Sequence, residues 1–206
     1  MPRPLYDIHT HEQTQRDAIV NLPEGADVPA EGRYSVGIHP WDAGGLTPAR
    51  WEWLEDAARA PQTVAIGECG LDALRGPSLD EQEEVFAAQA RIATELGKPL
   101  IIHCVRAWDR LLRLNKELRG HSTWIVHGFR GKEALGRQLL DAGLRLSFGA
   151  DTPPATARAL AAYAPGSTYL ETDDSPLSIV EVADRLGLPL RSVAGVGEPI
   201  VGGVRL

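Results

Sequence analysis

Short apolar runs recur along this chain at a spacing that few folds can accommodate. Eight strand candidates stand out: Pro4–His9, Ala18–Leu22, Tyr34–Ile38, Thr63–Gly67, Pro99–His103, Thr123–His127, Leu144–Phe148 and Thr168–Thr172. Most are rich in β-branched or aromatic residues and are bounded by Gly, Pro or polar turns. Helical periodicity fills several of the gaps between them. Pro48–Arg59 opens with Thr47 as N-cap and Pro48 at the first helical position. Asp80–Leu96 lines up Val85, Phe86, Ala90, Ala93 and Leu96 on one face and stops at Gly97. Ala107–Leu118, Lys132–Ala142, Pro154–Tyr163 and Ser178–Leu186 follow. Strands alternating with helices specify parallel βαβ units. Eight strands in series imply an α/β fold, a TIM (β/α)8-type barrel forming a single domain over residues 1–206. The connections Thr10–Asp17 and Pro23–Arg33 are too short for the usual helix, so the first covering helices are expected to be trimmed. Gly195–Leu206 is Gly-rich and lacks helical periodicity, which makes 190–206 an irregular tail on this reading.

Bulk properties narrow the class further. A chain of 206 residues, 43% apolar and 24% charged, can bury one continuous core in water. No window is apolar for long enough to span a membrane, and Met1–Asp7 lacks the basic start and apolar stretch of a signal peptide. A cytoplasmic protein without membrane contact or an obligate protein partner is therefore expected. Cys69 and Cys104 are too few for a disulfide framework and match no zinc spacing. They read as reduced thiols beside a core. The net charge of −7 repels a polyanion at long range. That favours a small phosphodiester, or a nucleic-acid end gripped locally by bound metal and a few arginines.

The unusual ionisable residues fall at the C-terminal ends of the strand candidates, the rim where such barrels carry their active sites. His9 and His11 end the first strand, Glu68 the fourth, His103 the fifth, His127 the sixth and Asp173 the eighth. Residues two apart on a strand face the same way, so His9 and His11 can share a cation, although a lone His-x-His also occurs on solvated strands. A carboxylate closing an apolar strand, as Glu68 does, is rarely buried unless paired or coordinated, and its two oxygens can bridge two cations. His103 and His127 close apolar runs at matching places, and barrel closure brings Asp173 beside His9 and His11. His39 ends the third strand and is placed to contact substrate or to support a ligand. Arg106, Arg130 and Lys132, just past the rim histidines, are candidates to clamp a phosphate or carboxylate. Asp72 and Trp108 read equally as site walls or packing, and His121 as an exposed, silent histidine.

In combination and order these motifs resemble the TatD family of metal-dependent hydrolases, among the amidohydrolase-like barrels. The matching stretches are Ile8–His11, Val36–Pro40, Ile66–Asp72, Gln82 and Phe86 ahead of Pro99–Cys104, His127–Gly131, Ser147–Gly149 and Leu170–Pro176. The resemblance runs from about Tyr6 to Leu188. It implies one metal held by His9, His11, Glu68 and Asp173 and a second held by Glu68, His103 and His127. It also implies 3′ to 5′ exonuclease or phosphodiesterase activity, or in some members deacylation of D-aminoacyl-tRNA. Two departures stand out: the short segment Glu12–Tyr34, and the lack of the family's Asn near the last helix.

The expected function is thus divalent-metal-dependent hydrolysis with Asp173 and Glu68 as catalytic residues. Two cations, zinc, manganese or magnesium, would lower the pKa of a water between them. The histidines favour a borderline transition metal. An ester or amide hydrolase would use the same metals, and a non-catalytic metal-binding scaffold is the rival from another class. A Schiff-base aldolase is disfavoured, because none of Lys98, Lys116 or Lys132 closes a strand.

Overall fold

A computed structural model describes residues 6–118 and 122–190 and the short strands at 200–201 and 204–205. Its eight parallel strands close into a barrel in sequence order. They are β1 (Asp7–Thr10), β2 (Ala18–Asn21), β3 (Tyr34–Val36), β4 (Thr63–Asp72), β5 (Leu100–Val105), β6 (Trp124–Val126), β7 (Arg145–Phe148) and β8 (Thr168–Leu170). Around them lie α1 (Pro48–Arg59), α2 (Leu79–Leu96), α3 (Trp108–Glu117), α4 (Glu133–Asp141), α5 (Pro154–Tyr163) and α6 (Ile179–Leu186). The expected barrel and helix positions are observed. Pro4 and Leu5, expected to begin the first strand, lie outside the described residues, as does His121. In the tail, where irregular backbone was expected, β9 (Ile200–Val201) pairs antiparallel with β10 (Val204–Arg205); the rest of 191–206 lies outside the described residues.

Apolar burial divides into two layers. Inside the barrel, Ile8, Ile19, Ala65, Ile101 and Ile125 form a fully buried plug beneath the rim. Outside it, the helices press a larger cluster against the strands, including Leu54, Phe86, Leu111, Leu139, Leu160 and Leu186. The helix ends follow their sequences. Ser78 and Glu81 form a capping box on α2, Ser178 and Glu181 another on α6, and each helix stops at a left-handed glycine, Gly97 and Gly187. Thr47 occupies the N-cap position of α1 without a side-chain capping bond; there Pro48 has no N–H to satisfy.

No helix follows β1 or β2. The 22–33 segment covers that side as a loop fastened to α1. Glu24 pairs with Arg50, Trp53 Nε1–H donates to the Ala26 carbonyl (2.9 Å), and Gln62 donates to Ala30 (2.8 Å).

Two register irregularities aim the rim. In β1, Asp7 pairs with Ala18 and Thr10 with Val20, so three steps on one strand oppose two on the other. In β4, Ile66 pairs with Leu100 and Cys69 with Ile102, the same one-residue excess. A bulge shifts which face the following residue takes. Ala65 packs in the plug, and past the bulge Glu68, three residues on, turns to the interior among the rim histidines. The fourth strand was expected to stop at Gly67, because the glycines read as a turn. It continues to Asp72, since Gly67 and Gly70 (φ 141° and 144°) let the backbones of β4 and β5 approach closely. A Cβ on Gly70 would run into the His103 carbonyl oxygen.

Gly70→Ala is expected to cost about 2–4 kcal/mol and lower the unfolding midpoint by roughly 5–10 °C. Gly143 has a similarly left-handed φ of 85° but open space around it. Equal losses for Gly143→Ala in a thermal melt would show that the close approach is not the cause.

Candidate metal centre

Glu68 is the hub of the rim. Its carboxylate is 7% exposed, yet five imidazoles surround it. Oε1 faces His39 Nε2 (3.1 Å), His103 Nδ1 (2.9 Å) and His127 Nε2 (2.9 Å). Oε2 faces His9 Nε2 (3.5 Å) and His11 Nε2 (3.4 Å). Those same two nitrogens lie 3.7 and 3.6 Å from Asp173 Oδ1. The six expected ligands thus meet at one mouth, with His39 beside them.

Backbone bonds set this arrangement. Asp173 N–H donates to the His9 carbonyl (3.0 Å), and His11 N–H donates to the Asp173 carbonyl (3.2 Å), stitching the strand after β8 to β1. Asp173 adopts a left-handed φ of 52° to do so, a conformation Asp tolerates better than most side chains. Asn21, on β2, accepts the Glu68 N–H (2.8 Å) and the Ser35 hydroxyl (3.0 Å) at the same oxygen.

Behind the ring stand carboxylates that orient the imidazoles. Asp72 Oδ2 lies 3.1 Å from His103 Nε2 and accepts Trp41 Nε1–H (2.7 Å), leaving His103 Nδ1 turned toward Glu68. Asp72 is therefore a site wall with a defined contact; Gln82 holds it by accepting its N–H (2.7 Å) and donating to its carbonyl (3.0 Å). Glu171 lies 3.5 Å from His127 Nδ1 and accepts the Ser147 hydroxyl. Asp7 accepts the N–H (3.1 Å) and hydroxyl (2.6 Å) of Thr172. Sequence reasoning had assigned no role to Glu171, Asn21 or Asp7. The signal for Glu171 was present: Tyr169, Glu171 and Asp173 follow the two-residue alternation that sends every other side chain inward.

Opposite charges packed together dominate the electrostatics of the cluster. Burial pushes the Glu68 carboxyl up, but His127, His103 and His11 outweigh it and hold the group well below the usual range. Burial lowers His127, yet Glu68 and Glu171 raise it well above its ordinary value, and Glu68 likewise raises His11. Burial lifts Asp173, with Glu171 adding to it, and lifts Asp7 to about 7.

Two observations test whether the residues fit metal ions. His9 Nε2 is buried without a hydrogen-bond partner while facing two carboxylate oxygens. Ligand atoms about 2.1 Å from a tetrahedral ion stand roughly 3.4 Å apart, and the His9/His11 set spans 3.4 to 3.7 Å, longer than an ordinary N–H···O bond. The donor set fits.

The substrate-side candidates separate. Arg106, at a left-handed φ of 51°, and Arg130 line the cavity over the cluster, as do His39 and Trp108. Arg130 also lies 3.6 Å from Asp151. Lys132 occupies the N-cap of α4, is exposed and does not line the cavity; the turn after Gly131 carries it away.

Residues 8–181 match the family model described as TatD related DNase. The chain belongs to the TatD-related DNase family. Among curated TatD-family relatives, the 3′-5′ ssDNA/RNA exonuclease TatD of Klebsiella pneumoniae is 39% identical over 132 residues, 60% of this chain and 50% of that protein. Its namesake in Musicola paradisiaca is 36% identical over 163 residues, 76% of this chain and 61% of that one. The chain thus spans about half to three-fifths of the length of these relatives. The fold is shared with YjjV, a TatD homologue from Escherichia coli (TM-score 0.75, 23% identity, 96% of this chain and 95% of that one). A TatD family hydrolase structure from Entamoeba histolytica is similar at TM-score 0.63 and 18% identity, covering 84% and 74% of the two chains.

Glu171→Gln keeps the side chain's shape and removes the charge behind His127. Titration calorimetry with Mn²⁺ or Zn²⁺ is expected to show affinity about 10- to 100-fold weaker. Unchanged affinity would mean that Glu171 does not orient the imidazole.

Proposed function

We propose that this chain is a divalent-cation-dependent phosphodiesterase that trims ends of single-stranded nucleic acid. The observation that carries the proposal is the division of Glu68, with Oε2 turned to His9 and His11 and Oε1 turned to His103 and His127. On this reading His9, His11, Glu68 and Asp173 hold one cation, and Glu68, His103 and His127 hold a second. Histidine-rich donors favour zinc or manganese over magnesium. Held there, a pair of cations would supply an acidified water and neutralise charge building on the phosphoryl oxygens.

The chain's own residues do the rest. Asp173 keeps Oδ1 turned to His9 and His11; its other carboxylate oxygen takes the proton of the attacking water and returns it to the departing alkoxide oxygen. One P–O bond forms and one breaks. Arg106 and Arg130 grip the non-reacting phosphates, and His39 sits where it can donate to a phosphoryl oxygen. The cavity, about 1310 Å³, exceeds the roughly 300–1,000 Å³ of a small-ligand cleft and suits a chain end. The names of the curated relatives, 3′-5′ ssDNA/RNA exonucleases, support this substrate class. No described helix is long and apolar enough to cross a membrane. The buried, unpaired Cys69 and Cys104 agree with a reducing compartment such as the cytoplasm.

The purified protein is expected to hydrolyse a single-stranded oligonucleotide from its end, with activity lost to a chelator and restored by Mn²⁺ or Zn²⁺. Asp173→Asn should reduce kcat by about 10²- to 10⁴-fold while the circular dichroism spectrum and melting profile stay close to wild type. Full activity in Asp173→Asn would refute its role in proton transfer. Turnover of an aminoacyl ester but no phosphodiester would assign the same centre to deacylation.

A further inference from the structure

Trp41 is 43% exposed although it stands on the wall of the cavity over the histidine–carboxylate cluster. Leaving a large aromatic half in water forgoes burial that a barrel rim could supply. Its position is nonetheless fixed. The short turn Pro40–Asp42 is anchored by buried Pro40; the Trp41 backbone N–H donates to His39 Nδ1 (3.2 Å) and its Nε1–H to Asp72 Oδ2 (2.7 Å). The indole packs edge-to-face on His39 (4.5 Å between centroids) and His103 (5.9 Å), two of the imidazoles turned toward Glu68. Arg75 places its guanidinium 4.7 Å over the ring, so one indole face already accepts a flat partner.

We infer that Trp41 is a stacking platform for an unpaired nucleobase, the base of a nucleotide flanking the phosphate at Glu68. This inference rests on the phosphodiesterase reading and narrows it. The aromatic surface lies next to His39 and His103, on the wall of the cavity that Glu68 also lines. Stacking tolerates any base, because every base presents a π-face. A base in a duplex is already paired and stacked, and freeing it carries a cost. The platform therefore favours single-stranded ends, without a sequence preference. Arg75 can lie beside the incoming base or move to a phosphate, since its side chain is exposed.

The test reads binding apart from turnover. A fluorescent single-stranded tetranucleotide with phosphorothioate linkages is compared with one whose last two residues are abasic tetrahydrofurans. For the wild-type protein, fluorescence anisotropy should give a Kd roughly 10- to 100-fold weaker for the abasic strand. In Trp41→Leu that difference should collapse, with the normal strand binding as weakly as the abasic one. Trp41→Phe keeps a ring and loses the bond to Asp72, so it should retain most of the difference. Equal wild-type affinity for both strands would overturn the inference. A Trp41→Phe that behaves as Trp41→Leu would also overturn it, because the loss would then trace to the Asp72 contact. Absence of hydrolysis on an ordinary phosphodiester strand would count against the function proposed above, while the affinity contrast still decides the role of Trp41.

Discussion

One buried carboxylate organises this molecule's chemistry. Glu68 is surrounded by five imidazoles and faces different partners with its two oxygens. An isolated carboxylate in that position would neutralise itself rather than stay ionised. Here the neighbouring histidines hold it well below its usual range. Much of the rim follows from keeping it there. The bulge in β4 turns it inward, Asn21 fixes its backbone, and Asp72 and Glu171 face the outer nitrogens of His103 and His127. The requirement is geometric more than energetic, because every one of these groups is expensive to bury alone and inexpensive to bury together.

The barrel was legible in the sequence because its signal is repetitive. Eight apolar runs, each followed by a turn and most by an amphipathic segment, leave little choice of topology, and the missing first helices show as connections too short to hold them. Helix limits agree to within a residue or two, since capping residues such as Ser78, Gly97, Ser178 and Gly187 mark them chemically. The length of β4 was not legible. Gly67 and Gly70 look like turn residues, and nothing local says that the carbonyls of Ile101 and His103 lie where a Cβ would go. That information belongs to β5, some thirty residues away.

The site divides along the same line. His9, His11, Glu68, His103, His127 and Asp173 stood out because they fall at the ends of apolar runs, and the closed barrel brings these side chains together. The residues that steady them were mostly missed. Asn21, Asp7 and Glu171 work through partners distant in sequence, such as Thr172 for Asp7, and polar residues inside or beside a strand look like ordinary surface until the barrel closes. Basic residues gave the weakest reading. Arg106, Arg130 and Lys132 look alike as sequence, and only the path of the backbone separates the two that reach the cavity from the one that does not.

The stitching between Asp173 and β1 carries a consequence of its own. A barrel must close somewhere, and this one closes where the first and last strands meet, through the reciprocal amide bonds of Asp173 with His9 and His11. The junction between the first and last barrel strands is therefore also where His9, His11 and Asp173 converge. A cation seated there would act as a clasp, joining the start of the polypeptide to a segment more than 160 residues later. By mass action, rising cation concentration would tighten the whole barrel, and the first opening of the fold and the release of the ion would be a single event.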